Sequence, residues 1–197
     1  SVVGKTSAPV SFLVANTGDV DSRVPVATIL GPNKDDFSLT SDCASALLAG
    51  GLSNCQVAVT YTPKAATSNA QAVLTVSENP SGSSATANLT GTAVAPASLT
   101  ITGAASDFGT VVDGSASAAL TFTVTNNGGE SSGAVAITSA STRFTLASDG
   151  CTGKNLAPKT PCTFTAQFKP LAGDAGVMQG QLKANGANTP NPALFSV

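Results

Sequence analysis

The chain has 197 residues, of which 42 % are hydrophobic, a content that suits a buried core and argues against disorder. Only 10 % are charged, against about 25 % in a typical soluble domain, and the net charge is −2. Lys and Arg are scattered singly, so no basic stripe exists to neutralise phosphates, and nucleic acid is not an expected partner. No apolar run approaches the ~20 residues that cross a membrane, so no membrane insertion is expected in this segment.

The sequence contains two copies of one pattern, offset by 107 to 110 positions. The matched anchors are Phe12–Gly18 with Phe122–Gly128, Phe37–Leu39 with Phe144–Leu146, Cys43 with Cys151, Cys55 with Cys162, and Thr60–Pro63 with Gln167–Pro170. Several anchors in one order at a nearly constant offset indicate an internal repeat. They predict two domains, residues 1–94 and 95–197, joined by a linker over residues 91–97.

Within each copy the apolar residues recur at every second position. In Leu120–Thr125 they alternate with threonines, which predicts a strand with one buried and one wet face. The same alternation occurs in Cys55–Tyr61, Ala72–Val76, Cys162–Phe168 and Gly180–Ala184. Asn-Thr-Gly and Asn-Asn-Gly supply turn residues. About seven short strands per copy predict an all-β chain of two tandem immunoglobulin-like β-sandwich domains, with at most one helical turn, around Ala44–Leu48.

The spacing of the cysteines differs from that of antibody domains. The chain has no Trp, and the members of the two cysteine pairs are 12 and 11 positions apart, too close for an inter-sheet bridge. The shared pattern reads Phe144 to Leu146, Cys151, Leu156, Cys162, Phe164 to Phe168, then Pro170. It resembles the bacterial choice-of-anchor D repeats, which are similar to abnormal-spindle/hydin domains and to major sperm protein and PapD-like sandwiches. The resemblance implies a secreted or surface-displayed multidomain chain.

Four cysteines allow three disulfide pairings. Equivalent domains should close equivalent loops, so the repeat selects Cys43 with Cys55 and Cys151 with Cys162. Disulfides predict an extracellular, secreted or cell-surface location. The alternatives, a zinc site or a reactive thiol, lack support because the chain has no His and no Cys-x-x-Cys motif.

No catalytic or cofactor-binding residue is predicted, and the chain is not expected to be an enzyme. Without histidine, Ser-His-Asp and Cys-His arrangements are excluded. The carboxylate pairs Asp19/Asp21 and Asp35/Asp36 lie beside turn residues, which indicates solvated loops, with a weak Ca²⁺ contact as the alternative. Neither pair recurs in the second copy, where Glu130 and Arg143 lie nearby instead.

Two further features of the sequence bear on ligand binding and on covalent cross-linking. Tyr61 occupies the register of Phe168 on an alternating strand, so it is expected in the core and not on a glycan-binding platform. Lys5 and Asn88 are nominal partners for an intramolecular isopeptide bond, which would require a buried Lys facing the Asn. Asn88-Leu89-Thr90 is a glycosylation sequon, relevant only in a eukaryotic secretory pathway.

The first copy is predicted to lack its first strand. The second copy has a leading segment, residues 98–112, whereas the first copy begins only at the equivalent of Thr110. At the other end, Val197 stops where the first copy continues into Gly91-Thr92. One explanation is an excised stretch of a longer array. The other is a subunit whose first strand comes from a neighbour, by strand donation.

The expected function is a structural or spacer segment of a bacterial secreted or surface protein, a stalk or fibre body with a role in adhesion. Expected partners are neighbouring immunoglobulin-like domains of the same chain or neighbouring subunits. One alternative is a ligand-binding adhesin module that recognises a protein or glycan through its loops. Another is an accessory domain of a large secreted hydrolase.

Overall fold

The structure is a computed structural model that describes residues 1–43, 48–51, 53–78 and 82–197. The described residues form antiparallel β-sheets, and a 3-10 turn spans Lys34–Asp36. Contacts divide the chain into two compact units, unit 1 (Ser1–Val94) and unit 2 (Ala95–Val197). The helical turn expected around Ala44–Leu48 lies outside the described residues except for Leu48. In the described part of the chain, no helix is long and apolar enough to span a membrane.

Unit 1 has two three-stranded sheets that enclose one core. Its strands are β1 (Val10–Ala15), β2 (Pro25–Leu30), β3 (Phe37–Ser41), β4 (Asn54–Tyr61), β5 (Thr67–Glu78) and β6 (Ser84–Ala93). One sheet has the order β1-β4-β3 and the other β2-β5-β6. The alternation over β4 puts Val57 and Val59 in the core, where they meet Ala72 and Leu74 of β5. Residues of both sheets therefore belong to a single buried cluster.

Unit 2 has one four-stranded and one three-stranded sheet. Its strands are β7 (Leu99–Gly103), β8 (Leu120–Asn126), β9 (Val135–Ser139), β10 (Phe144–Asp149), β11 (Pro161–Phe168), β12 (Gln181–Gly186) and β13 (Ala193–Ser196). The sheets have the orders β10-β11-β8-β7 and β13-β12-β9. Phe122 of β8 and Phe164 of β11 face each other across the register, stacked with ring centroids 5.3 Å apart. Both are almost fully buried, and each such ring stabilises the fold by roughly 1.5–3 kcal/mol through burial.

The two units share a topology, with one strand fewer in unit 1. The order β3-β4-β1 repeats as β10-β11-β8, and β2-β5-β6 repeats as β9-β12-β13. Unit 2 adds β7 beyond β8, and no described strand of unit 1 occupies the matching position beyond β1. The sequence predicts an opening strand over residues 98–112, but β7 covers only Leu99–Gly103, and residues 104–119 follow without regular structure.

The linker is shorter than its composition suggests. Residues 91–93 belong to β6, and Val94 forms a parallel bridge with Val2. Ala97 is buried, and Ala95 accepts a hydrogen bond from the N–H of Gly129 within unit 2. Most of the residues that the sequence predicts as a linker therefore belong to one unit or the other.

Candidate interaction surface

Each unit contains one disulfide that closes a short loop. Cys43 bonds Cys55 with Cα atoms 5.1 Å apart, and Cys151 bonds Cys162 at 5.3 Å. These are the pairings expected from the repeat. Asp42 lies beside the first disulfide, and these three residues are the one grouping of potential metal ligands among the described residues. The sulfurs of Cys43 and Cys55 are bonded to each other, so they are not available as thiolate ligands.

The loop before each disulfide is fixed by one polar side chain. In unit 2 the carboxylate of Asp149 accepts the N–H groups of Cys151 and Thr152 and the Thr152 hydroxyl. Partial burial raises the pKa of Asp149, but these hydrogen bonds to the charged form outweigh it and hold the pKa below its usual value. In unit 1 the hydroxyl of Ser41 accepts the N–H of Cys43 at the matching place. The polar groups of these loops are thus used to hold the fold.

A buried asparagine joins the loops at the end of β8. The amide nitrogen of Asn126 donates to the carbonyls of Glu130 and Leu156, and its Oδ1 accepts the N–H groups of Gly128 and Ser98. Asn126 is completely buried, so these four hydrogen bonds satisfy a group that would otherwise destabilise the core.

The equivalent Asn16 of unit 1 makes three of these four bonds. Its nitrogen donates to the carbonyls of Val20 and Leu48, and its Oδ1 accepts the N–H of Gly18. The missing bond corresponds to Ser98, the residue immediately before β7. The carbonyl of Ser98 also accepts the N–H of Asn127, and the equivalent N–H in unit 1, that of Thr17, has no partner in the described part of the chain.

Among the described strands, none pairs with the outer edge of β1. In unit 2, β7 pairs with β8 from Leu99 opposite Asn126 to Gly103 opposite Phe122. Leu99 and Ile101 of β7 reach into the core of that unit. Without such a strand, Phe12 and Val14 of β1 are only half-buried, although the equivalent residues of β8 are 0 % exposed.

An open cavity of about 470 Å³ lies next to this edge. Its aromatic lining consists of Phe12, Phe37 and Tyr61, the equivalents of Phe122, Phe144 and Phe168. In unit 2 the corresponding space holds the ring of Phe108, which lies 6.4 Å from the Phe122 ring and 5.4 Å from the Phe144 ring. We call the unit 1 cavity the aromatic socket.

The hydroxyl of Tyr61 is buried in the wall of the socket without a partner among the described residues. Burial is the main cause that raises the pKa of Tyr61, and the negative charge of Asp36 is the second. The hydroxyl therefore remains a protonated donor. The rings of Phe37 and Tyr61 lie 4.8 Å apart, and those of Phe144 and Phe168 lie 5.1 Å apart. The socket thus keeps the aromatic geometry of unit 2 and adds an unsatisfied polar group.

The segment that follows the missing strand is present in both units and is held in the same way. In unit 1 the N–H of Ser7 donates to the carbonyl of Tyr61, and the N–H of Tyr61 donates to the Ser7 hydroxyl. In unit 2, Ser117 and Phe168 exchange the same two hydrogen bonds. The two units therefore correspond from Ser7 and Ser117 onward, and they differ in the residues that come before.

The structure does not gather the acidic residues into a site. Asp19, Asp21 and Asp35 are exposed, and the carboxylate of Asp36 accepts the N–H of Lys64. Sequence reasoning missed the ion pair of Arg143 with Asp174, in which two guanidinium N–H groups donate to the two carboxylate oxygens at 2.6 and 2.8 Å. Nothing in the sequence connects two residues 31 positions apart in different loops.

The two remaining sequence candidates have different outcomes. Tyr61 is a core residue as expected. Lys5 and Asn88 are both exposed, so this pair does not provide the buried lysine that an isopeptide bond requires. Unit 2 also has a cavity of about 1010 Å³ around Phe108, but its carboxylates are occupied. Asp113 accepts the N–H of Gly173, and Asp107 accepts that of Gly109.

Comparisons with known proteins do not show a family for this chain. No protein-family description matches it, and no curated protein matches its sequence. Among solved structures it is similar to bovine butyrophilin, with 10 % identity, a TM-score of 0.34, and coverage of 100 % of this chain and 92 % of that one. It is also similar to a protein of unknown function from Porphyromonas gingivalis W83, with 12 % identity and a TM-score of 0.32. That match covers 100 % of this chain and 92 % of the other.

The secreted serine protease VesC from Vibrio cholerae gives 10 % identity and a TM-score of 0.35, over 98 % of this chain and 48 % of that chain. At such identities and scores, none of these likenesses supports a statement about function.

Proposed function

We propose that this chain is a structural segment of a secreted or surface-displayed protein, built from two immunoglobulin-like β-sandwich units that hold other parts at a distance. The observation that carries the proposal is the duplication itself. The same strand order, the same short disulfide loop and the same asparagine clamp occur twice. A repeated architecture whose disulfide loops are held by internal hydrogen bonds suits a load-bearing element better than a reactive site.

The disulfides support an oxidising, extracellular environment, since such bonds persist there and are rare in the cytosol. The charged groups support a structural role for a different reason. The ion pair of Arg143 with Asp174 and the capping carboxylate of Asp149 both hold loops together. They do not face a common cavity as an acid and a base would.

Single-molecule stretching tests this role directly. The chain would be placed between two reference domains and pulled through repeated cycles, with and without reductant. We expect one rupture per unit and refolding on relaxation. Reduction should lengthen each extension by about 40 Å, because each loop of 12 or 11 residues contributes up to about 3.6 Å per residue. A chain that extends without distinct ruptures, or that does not refold between cycles, would contradict a load-bearing role.

A further inference from the structure

We infer that unit 1 contains a strand-accepting site, formed by the outer edge of β1 and the aromatic socket. Its occupant is an extended polypeptide segment with the pattern of residues 98–108. This pattern has two aliphatic residues two positions apart and a phenylalanine seven positions after the second, as in Leu99, Ile101 and Phe108. The inference concerns a binding site of unit 1 and does not depend on the proposed structural role.

The first argument is the open hydrogen-bonding edge. The N–H of Asn127 donates to Ser98, and N–H groups of alternate residues in a strand point to the same side. In β8 the residues facing β7 are therefore Thr123 and Thr125. Their equivalents in β1 are Leu13 and Ala15, whose N–H and C=O groups face the unpaired edge. An unpaired edge of this kind is a template for another strand.

The second argument is apolar surface that an added strand would cover. Val10 is 58 % exposed, and Phe12 and Val14 are half-buried although their side chains belong to the core face. In unit 2 the aliphatic side chains of β7 complete this part of the core. A segment with the same alternation would place its aliphatic side chains over this exposed apolar surface, while its other face remains in solvent.

The third argument is the socket, which selects an aromatic residue. Phe12 and Phe37 line it, as Phe122 and Phe144 line the seat of Phe108 in unit 2. Tyr61 contributes a buried hydroxyl without a described partner. A carbonyl of the incoming segment would accept a hydrogen bond from this hydroxyl. Aromatic rings packed at offset or tilted angles gain more than their area alone provides.

The fourth argument is the incomplete clamp at Asn16. Its Oδ1 accepts one N–H where Asn126 accepts two, and the N–H of Thr17 has no described partner. The residue before the added strand would supply both missing groups, as Ser98 does in unit 2. These two bonds fix the register, because they place the aliphatic residues of the segment opposite Asn16 and Val14, as Leu99 and Ile101 lie opposite Asn126 and Val124 in unit 2.

The test uses the intact chain and a peptide with the sequence of residues 98–110. Tyr61 is the single tyrosine and the chain has no Trp, so tyrosine fluorescence reports on the socket alone. The peptide contains neither residue, so it adds no signal. We expect saturable perturbation of Tyr61 emission, and a melting midpoint of unit 1 that rises with peptide concentration. A peptide with Ala in place of its Phe should bind about tenfold more weakly or worse, and a scrambled peptide should not bind.

A matched pair of variants tests the edge. Leu13→Pro removes an N–H that faces outward, where proline is tolerated on an edge strand, so unit 1 should still fold but should lose peptide binding. Ala15→Pro acts at the other outward-facing position and serves as the second variant if the first disturbs folding. The same peptide joined to Ser1 by a flexible Gly/Ser linker raises its effective concentration. Stabilisation of unit 1 in either format supports the site, and an unchanged unit 1 in both formats would overturn it.

Discussion

The ring of Tyr61 packs directly on the backbone of Gly91, so that a Cβ added to Gly91 would lie 2.7 Å from the Tyr61 Cζ atom. Gly91 lies in β6 and Tyr61 in β4, so this contact joins the two sheets of unit 1. We predict that Gly91→Ala destabilises unit 1 by about 1–3 kcal/mol, because neither backbone nor buried ring can move away freely. Chemical denaturation followed by far-UV circular dichroism measures the effect, because this signal does not depend on Tyr61.

A double-mutant cycle identifies the cause of that loss. In a Tyr61→Leu background the added methyl group meets a smaller side chain, so Gly91→Ala should cost less there than in the native chain. Thr86→Ala, at an exposed position of the same strand, serves as the control and should change stability little. Equal costs of Gly91→Ala in both backgrounds would show that the Tyr61 ring is not what opposes the methyl group.

The stacked pair Phe122 and Phe164 should dominate the core of unit 2. Replacing either residue with Ala should destabilise that unit by about 3–5 kcal/mol, since each ring is buried and leaves a cavity. Thr123→Ala, on the opposite face of β8, should cost far less. Similar small losses for all three variants in denaturant unfolding would mean that the faces of β8 are assigned incorrectly.

The ion pair of Arg143 with Asp174 should give unit 2 a pH-dependent contribution to stability. Hydrogen bonds from Arg143, and then from the N–H of Leu171, lower the pKa of Asp174 to about 2. A carboxyl whose pKa is lower folded than unfolded, where it is about 3.9, stabilises the fold above that value. Its contribution is lost as the pH falls towards 2.

Asp174→Asn should therefore reduce the unfolding free energy of unit 2 at pH 7, and the difference from the native chain should shrink between pH 4 and pH 2. Arg143→Lys keeps the charge but loses the two-pronged geometry, so an intermediate effect is expected. Denaturant unfolding at several pH values provides the comparison. A difference that is constant across this range would show that the carboxylate charge is not involved.

Each disulfide should stabilise its own unit and leave the other unchanged. Replacing Cys151 and Cys162 together with Ala should lower the stability of unit 2 by about 3 kcal/mol, the value expected for closing a loop of 11 residues in the unfolded chain. The matching replacement of Cys43 and Cys55 provides the same test in unit 1. Non-reducing peptide mapping of the native chain checks the pairing, and a peptide linking Cys43 to Cys151 would refute it.

Strand alternation made the all-β class and the core faces predictable from the sequence. A strand buries every second side chain when one of its faces packs against the core. The alternating apolar residues of β4, β8 and β11 are accordingly buried, among them Val57, Val59, Phe122 and Phe164. The missing edge strand was visible because the repeat offers its own reference, residues 98–112.

Features that depend on tertiary placement were not predictable. The contact of Gly91 with Tyr61 and the pairing of Arg143 with Asp174 join distant residues without any periodic signal. The sequence places Phe108 in an opening strand, but it lies beyond β7 in an irregular segment, where its contacts with Phe122 and Phe144 show its role. The aromatic socket is defined by the absence of such a residue, which no local pattern records.

Amide hydrogen exchange of the monomeric chain tests most directly that one fold is built twice with one strand fewer in unit 1. Thr123 and Thr125 face β7, whereas their equivalents Leu13 and Ala15 face the open edge of β1. We predict strong protection for the amides of Thr123 and Thr125, which exchange only with extensive opening of unit 2, and fast exchange for those of Leu13 and Ala15. Protection of Leu13 and Ala15 comparable to that of Thr123 and Thr125, at concentrations where the chain is monomeric, would contradict the account.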